Sequence, residues 1–222
     1  IFITIQISYS FLKKLINIPF KEVILINTLN SLSNFLIATS GTVINSLILK
    51  KKYKLEIKNF IFVKIFYFTS GCLVYSLIGL IFSISFSVEL TLLFTIFFIG
   101  TLLFNFLPVE QFFFFKEIVT LKKINNLRKK ISKTFLLNLF FFFIHLLFSI
   151  LAYFILFYNF NIELSFLSLI IFNSIIFTAS FLSLNIFGFG LGEFLAIFFF
   201  HFNGFDTQII LLILFISKIF FI

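Results

Sequence analysis

The chain has 222 residues, of which 61% are apolar, 22% aromatic and only 11% charged, and its mean hydropathy is +1.21. Soluble domains average about 45–50% apolar and about 25% charged residues, so a water-soluble globule is excluded. Cys72 is the single cysteine, which excludes a disulfide scaffold. The net charge of +9 is spread between long apolar runs rather than gathered on one face, which argues against nucleic acid as a partner. The chain reads as an all-α polytopic membrane protein forming one integral membrane domain, 1–222. Its 43 Phe, with no Trp and no Met, are what an AT-rich coding sequence gives, so they carry no functional weight. Without Met, Ile1 does not read as a translation start, and the chain reads as a fragment. No basic leader with a small-residue cleavage site marks a signal peptide.

Residues 1–12 are apolar but too short to cross a core about 30 Å thick, and read as the tail of a helix begun upstream. The next apolar stretch, 22–49, lies between Lys13, Lys14, Lys21 and the cluster Lys50, Lys51, Lys52, Lys54, Lys58. A single crossing would put basic residues on both sides of the membrane. Its centre is polar, with Asn27, Thr28, Asn30, Ser31, Ser33, Asn34, Thr39, Ser40 and Gly41. Twenty-eight helical residues rise roughly 42 Å, more than one span needs but suited to two half-helices. The segment is expected to be re-entrant, entering and leaving on one side. The other reading is one tilted helix whose Ser, Thr and Asn pack against neighbours.

Two pairs of spans follow. Residues 60–86 and 90–107 form the first pair, with a tight connector at 87–89, and 135–158 and 164–187 form the second, joined by 159–163. Between the pairs, 109–134 carries Lys116, Lys122, Lys123, Arg128, Lys129, Lys130 and Lys133. The short connectors hold Glu89 and Glu163 but no basic residue. By Lys/Arg asymmetry, 50–58 and the basic loop 109–134 are expected to be cytoplasmic. The loop would attract anionic lipid headgroups, at about 1 kcal/mol per basic residue near the surface.

The chain then reads Asn185-Ile-Phe-Gly188-Phe-Gly190-Leu-Gly192-Glu193, the short apolar run 194–202, a turn at Asn203-Gly204-Phe205-Asp206, and a last apolar stretch to Ile222. Nine residues of helix rise only about 14 Å, so 194–202 does not cross. Gly-interrupted apolar segments in corresponding places are a pointer to a transport site. The fold expected is therefore four or more transmembrane helices plus two re-entrant, broken-helix segments.

These two regions carry a resemblance. Gly188, Gly190 and Glu193 form a glycine-rich turn ending in Glu, Gly204 follows eleven residues later and Lys218 twenty-five later. Earlier, Gly41-Thr-Val-Ile-Asn45 leads through a Leu-containing strip into Lys50–Lys52. Over 34–66 and 178–222 the chain resembles the flippase-like transmembrane proteins related to the membrane region of lysylphosphatidylglycerol synthase. Ile186 stands where that family has proline, Thr42 where it has an acidic residue, and Asn45 and Lys218 where it has arginine. The resemblance implies a membrane protein of the bacterial inner or plasma membrane that handles lipids, with Gly41, Asn45, Gly188, Gly190, Glu193, Gly204 and Lys218 around a substrate site.

An ionisable residue in a membrane segment is a functional candidate by default. Glu193 begins a half-helix at the positive end of its dipole. It would bind an amino-type headgroup or orient Lys218, or else simply cap the helix. Lys218 would contact a lipid phosphate, or snorkel to the interface. His201 lies eight residues after Glu193, on roughly the same helix face, and either shares the site or packs. His145, in mid-span, reads as hydrogen-bonded packing rather than a proton relay. No metal-ligand cluster, phosphate loop or catalytic motif is visible, so no metal or cofactor is expected, and the reading favours a non-enzymatic, transport-type protein while leaving enzymatic activity open. The expected function is movement of a polar lipid headgroup through a cavity lined by 22–49 and 188–222. The alternative is the membrane region or subunit of a lipid-modifying synthase or glycosyltransferase. A proton-channel subunit ranks last, because the one arginine, Arg128, sits in the basic loop. Homo- and hetero-oligomers both remain open.

Overall fold

A computed structural model describes residues 2–36, 40–106, 134–180, 190–202 and 204–220, with backbone alone at 35, 36, 180, 202 and 218–220. The described residues are helical throughout apart from short connectors. The helices are α1 (Phe2–Leu12), α2 (Phe20–Leu36), α3 (Ser40–Tyr53), α4 (Ile57–Ser83), α5 (Val88–Phe106), α6 (Phe135–Asn159), α7 (Phe166–Ser180), α8 (Leu191–Phe202) and α9 (Thr207–Phe220). Three of them, α4, α5 and α6, with 27, 19 and 25 residues, are long and apolar enough to cross a membrane. The chain has the make-up of an integral membrane protein, and these three match the spans read at 60–86, 90–107 and 135–158 to within a turn. The fourth expected span, 164–187, is represented by the 15 residues of α7 after a connector that includes Leu164 and Ser165, and 181–187 lie outside the described residues. So does nearly all of the basic loop 109–134.

Local chemistry ends each helix where it ends. Pro19 sets the start of α2, its carbonyl accepting from the Glu22 and Val23 N–H groups. Lys54 takes a left-handed conformation (φ 54°) that stops α3, and the Leu55 N–H returns to the Leu49 carbonyl at 3.3 Å. Asn161 (φ 55°) ends α6 the same way, with the Ile162 N–H on the Phe157 carbonyl. Ser87 accepts from the Leu90 N–H at 3.2 Å and opens α5, and Ser165 accepts from Ser168 to open α7. Gly204 (φ 79°) makes the turn after α8, and Asp206 caps α9 through the Gln208 N–H.

α4 is the hub, packing on α1, α3, α5, α6 and α7. α5 packs chiefly on α4, where Gly79 leaves a notch for the buried ring of Phe94. α7 lies against α4, α6 and α8, and α9 closes on α6 and α8. The α2–α3 pair sits over α1 and α4. Residues 2–12, read as the tail of a helix, form α1, whose Ile7 and Phe11 are buried in the main core.

Dispersion and aromatic contact hold this bundle, because lipid tails are as apolar as the core and helix association gains little from leaving them. Phe177 stacks on Tyr75 with centroids 4.0 Å apart, and Phe200 meets Phe157, Phe172 and Phe205 at 5.4, 5.0 and 5.4 Å. Buried hydroxyls and amides return to carbonyls a turn earlier on their own helix: Ser70 to Phe66, Asn105 to Thr101, Asn173 to Leu169 and Thr178 to Ser174. Such back-bonding satisfies polar groups without water.

Candidate functional site

The α2–α3 pair is an antiparallel hairpin tied at both ends. Near its inner end the Gly41 N–H donates to Asn34 Oδ1 at 2.9 Å, and the Ser40 hydroxyl donates to the Ser33 carbonyl at 2.7 Å. A Cβ on Gly41 would sit 2.3 Å from the Asn30 carbonyl oxygen, so only glycine allows this approach. At the outer end Glu22, in the first turn of α2, takes Lys52 Nζ at 2.5 Å and the Tyr53 hydroxyl from the last turn of α3.

Lys52, and then Tyr53, hold the Glu22 carboxyl below its ordinary value. Desolvation, and then Glu22 itself, push the Tyr53 phenol up to about 12. A lowered folded-state pKa stabilises the clamp above the free-carboxyl pKa of about 4.5, and the contribution is lost as pH falls through the lowered value. Hydrogen exchange of the Glu22–Ile26 and Leu49–Tyr53 amides, corrected for intrinsic rates, should therefore rise as pH falls below the ordinary carboxyl value of 4.5 and through the lowered one. Glu22→Gln should remove that step; an equal step in the variant would show that another group loosens the hairpin.

Between α1, α2, α4, α6, α7 and α9 lies a cavity of about 370 Å3. α1 gives Thr4 and Ser8; α2 gives Asn27, Thr28, Asn30 and Ser31; α4 gives Lys64, Tyr67, Phe68 and Tyr75. His145, Ser149 and Tyr153 come from α6, Asn173 and Phe177 from α7, and Ser217 from α9. The α4 residues recur at three, four and seven positions, which puts them on one helix face. Gly71 falls on that face, and a Cβ there would meet the Phe177 ring at 2.6 Å. The glycine lets Phe177 reach Tyr75 and floor the cavity.

Polar contacts organise the wall. Tyr75 and His145 Nδ1 are 2.6 Å apart, Tyr153 and Ser217 hydroxyls 3.3 Å, and Ser8 donates to Asn27 Oδ1 at 3.2 Å. A smaller cavity of about 20 Å3 adjoins through Ser8, Asn27, Lys64 and Tyr67, and adds Asn45 from α3. No family model, curated protein or solved structure matches the chain. The site is therefore read from its own geometry.

The residues singled out from sequence fall in different places. Asn45 is buried against the smaller cavity, and Gly41 seats the hairpin that carries Asn27 and Asn30 into the larger one. Glu193 is 1% exposed, and its Oε2 accepts from the Gly190 N–H at 2.9 Å. That is the reciprocal half of a capping box, and α8 starts at Leu191, three residues before the apolar run. The helix-capping role considered for Glu193 is thus present, and Glu193 is not among the cavity-lining residues. His201 is exposed, two turns and roughly 12 Å of helix from Glu193, so the two do not meet. Gly204 turns the chain at an exposed position. Gly188 and the side chain of Lys218 lie outside the described residues. His145 is hydrogen-bonded, as expected, and also lines the cavity.

Lys64, Tyr75, Tyr153 and Asn173 went unnoticed in the sequence. Only Lys64 left a clear signal, an ionisable residue seven positions into a long apolar span.

Proposed function

We propose that the protein handles membrane lipids, with a polar headgroup in the cavity and its acyl chains in the bilayer. The observation that carries this reading is a cavity of about 370 Å3 walled by hydroxyls, amides and one ammonium in an otherwise apolar bundle. Ligand pockets start at about 300 Å3. Polar residues at such depth are costly and are kept where they serve a path or a site. Asn27, Thr28, Asn30 and Ser31 of α2 and Ser217 of α9, from the two segments proposed to line the path, are on its wall, which supports the reading.

The flanking helices suit a re-entrant role. α2 and α3 have 17 and 14 residues, rising roughly 26 and 21 Å, each short of a core about 30 Å thick. Their outer ends are joined by Glu22 and Lys52, as a segment entering and leaving on one side requires. α8 and α9, with 12 and 14 residues, form a second such pair about the Gly204 turn. In this arrangement α4, α5, α6 and the segment 164–187 cross, and 50–58 and 109–134 lie in the cytoplasm near anionic headgroups. The resemblance of 34–66 and 178–222 to the flippase-like family points the same way.

Reconstitution into liposomes tests the reading. The protein should speed the exchange of headgroup-labelled lipid between leaflets over protein-free vesicles. Asn173→Leu combined with Ser149→Leu, which fills the cavity with apolar bulk, should return the rate to background. Exchange at the protein-free rate by the folded wild-type chain, or an unchanged rate in the filled variant, would overturn it.

A further inference from the structure

Among the described residues Lys64 is the one charged side chain lining the cavity, and no carboxylate lines it. It is the eighth residue of α4, roughly 10 Å along the helix from its start. Its ammonium lies 5.8 Å from the Phe60 ring centroid and 5.9 Å from that of Tyr67, one turn to either side, so the stem lies along the wall. Among the described residues Lys64 has no ion pair and no hydrogen bond. Two buried amide oxygens beside it are also unsatisfied: Asn30 Oδ1 on the larger cavity and Asn45 Oδ1 on the smaller. Lys64 borders both cavities.

An unpaired cation on the cavity wall describes a site that a ligand completes, and the Asn30 and Asn45 amides belong to the walls of the two cavities it borders. The cation sets the sign of that ligand, and the Asn30 amide and the Ser31 hydroxyl on the same wall can donate to it, the Ser8 and Thr28 protons being engaged with Asn27 Oδ1 and the Ile24 carbonyl. Each amide can present oxygen or NH2 by turning over. A lysine ammonium is a compact point charge with three donors, suited to a phosphate whose oxygens are not held in a plane.

We propose that Lys64 is the anion-binding residue of the cavity and that its ligand is a phosphate group, carried by a lipid or free. This rests on the lipid-handling reading for its setting and adds the chemical class of headgroup selected. Asn30 then acts as a hydrogen-bonding neighbour of the phosphate, and the Tyr67 ring lies beside the ammonium on the same wall.

The full chain in detergent, incubated with equal amounts of phosphatidic acid and diacylglycerol of the same acyl chains, tests this, with retained lipid read by native mass spectrometry. The two lipids differ only by the phosphate. Wild type should retain phosphatidic acid about tenfold over diacylglycerol, the scale of one hydrogen bond to a charged group. Lys64→Gln should bring the ratio near one, Lys64→Arg should keep most of it, and Lys51→Gln, at an exposed position, should leave it unchanged. Displacement of phosphatidic acid by millimolar inorganic phosphate in wild type but not Lys64→Gln would support the same site and name free phosphate as a source. Equal retention of both lipids, unchanged in Lys64→Gln, would overturn the assignment while leaving the headgroup cavity standing. Retention of neither lipid, with no phosphate bound, would also overturn it, and the liposome exchange assay would then judge the lipid-handling reading separately.

Discussion

Gly41→Ala should destabilise the protein by about 1–3 kcal/mol, toward the upper end of what overpacking costs. The added Cβ would meet the Asn30 carbonyl oxygen at 2.3 Å and its Cα at 2.8 Å. Both are backbone atoms and cannot swing aside as a side chain would, so α2 and α3 must part. Asn27 and Asn30 would move with α2, and the cavity would change shape along with the fold. Thermal unfolding in detergent, followed by helical circular dichroism, should show Tm lowered by several degrees, at roughly 2–4 °C per kcal/mol for a chain of this size. Gly100→Ala is the matched control, since a Cβ there meets nothing within 4 Å. It should be neutral or slightly stabilising, because alanine is the better helix former by about 0.5–1 kcal/mol. Equal Tm values for the two variants would show that the hairpin contact does not constrain the fold.

Phe200→Ala should give the second large loss. Phe200 is 0% exposed and its ring joins Phe157 of α6, Phe172 of α7 and Phe205 in the turn before α9. In a soluble core such a truncation costs about 3–5 kcal/mol, part of it the transfer of the side chain out of water. In a bilayer that part shrinks, because the separated helices still lie in hydrocarbon. The void remains, at about 24 cal/mol per Å3, which gives on the order of 2 kcal/mol for the lost ring. Phe194→Ala on the same helix, where the ring is 64% exposed, should change stability by less than about 0.5 kcal/mol. Urea or sodium dodecyl sulfate titration of the three proteins separates the outcomes, and matching midpoints for the two variants would remove α8 from the aromatic core.

The comparison of Phe200 with Phe194 also shows why the sequence told more about spans than about packing. Length and charge decide what crosses, and both are written in the chain, so α4, α5 and α6 were legible to within a turn. Which face of a helix turns inward is normally marked by apolar periodicity, but here both the lipid side and the core side are apolar. Phe142 and Phe143 are neighbours of identical chemistry, and one is 0% exposed while the other is 42%. The cavity was illegible for a related reason: six helices each give a few residues, and no spacing along one helix reports the others. The polar centre of 22–49 was legible, and Asn27, Thr28, Asn30 and Ser31 do line the cavity. Lys64 was legible in principle, since a lone lysine among Phe, Ile and Val stands out by cost. The Glu193 carboxylate could be read as site or as cap, and its bond to the Gly190 N–H was not decidable from the glycines alone.

The way α5 leans on α4 bears on how the chain is assembled during synthesis. These helices adjoin in sequence, and Gly79 and Phe94 lock them together within a few tens of residues. That unit can close on itself as soon as both helices have left the ribosome, with little loop entropy to overcome. The contact of α1 with α6 is in the opposite position: Ser10 hydrogen-bonds to Asn138, 128 residues away, so it forms only after α6 is made, whereas α2 and α4 reach α1 earlier. The α4–α5 contact, local in sequence, can therefore close before the α1–α6 contact, which waits on more than a hundred further residues.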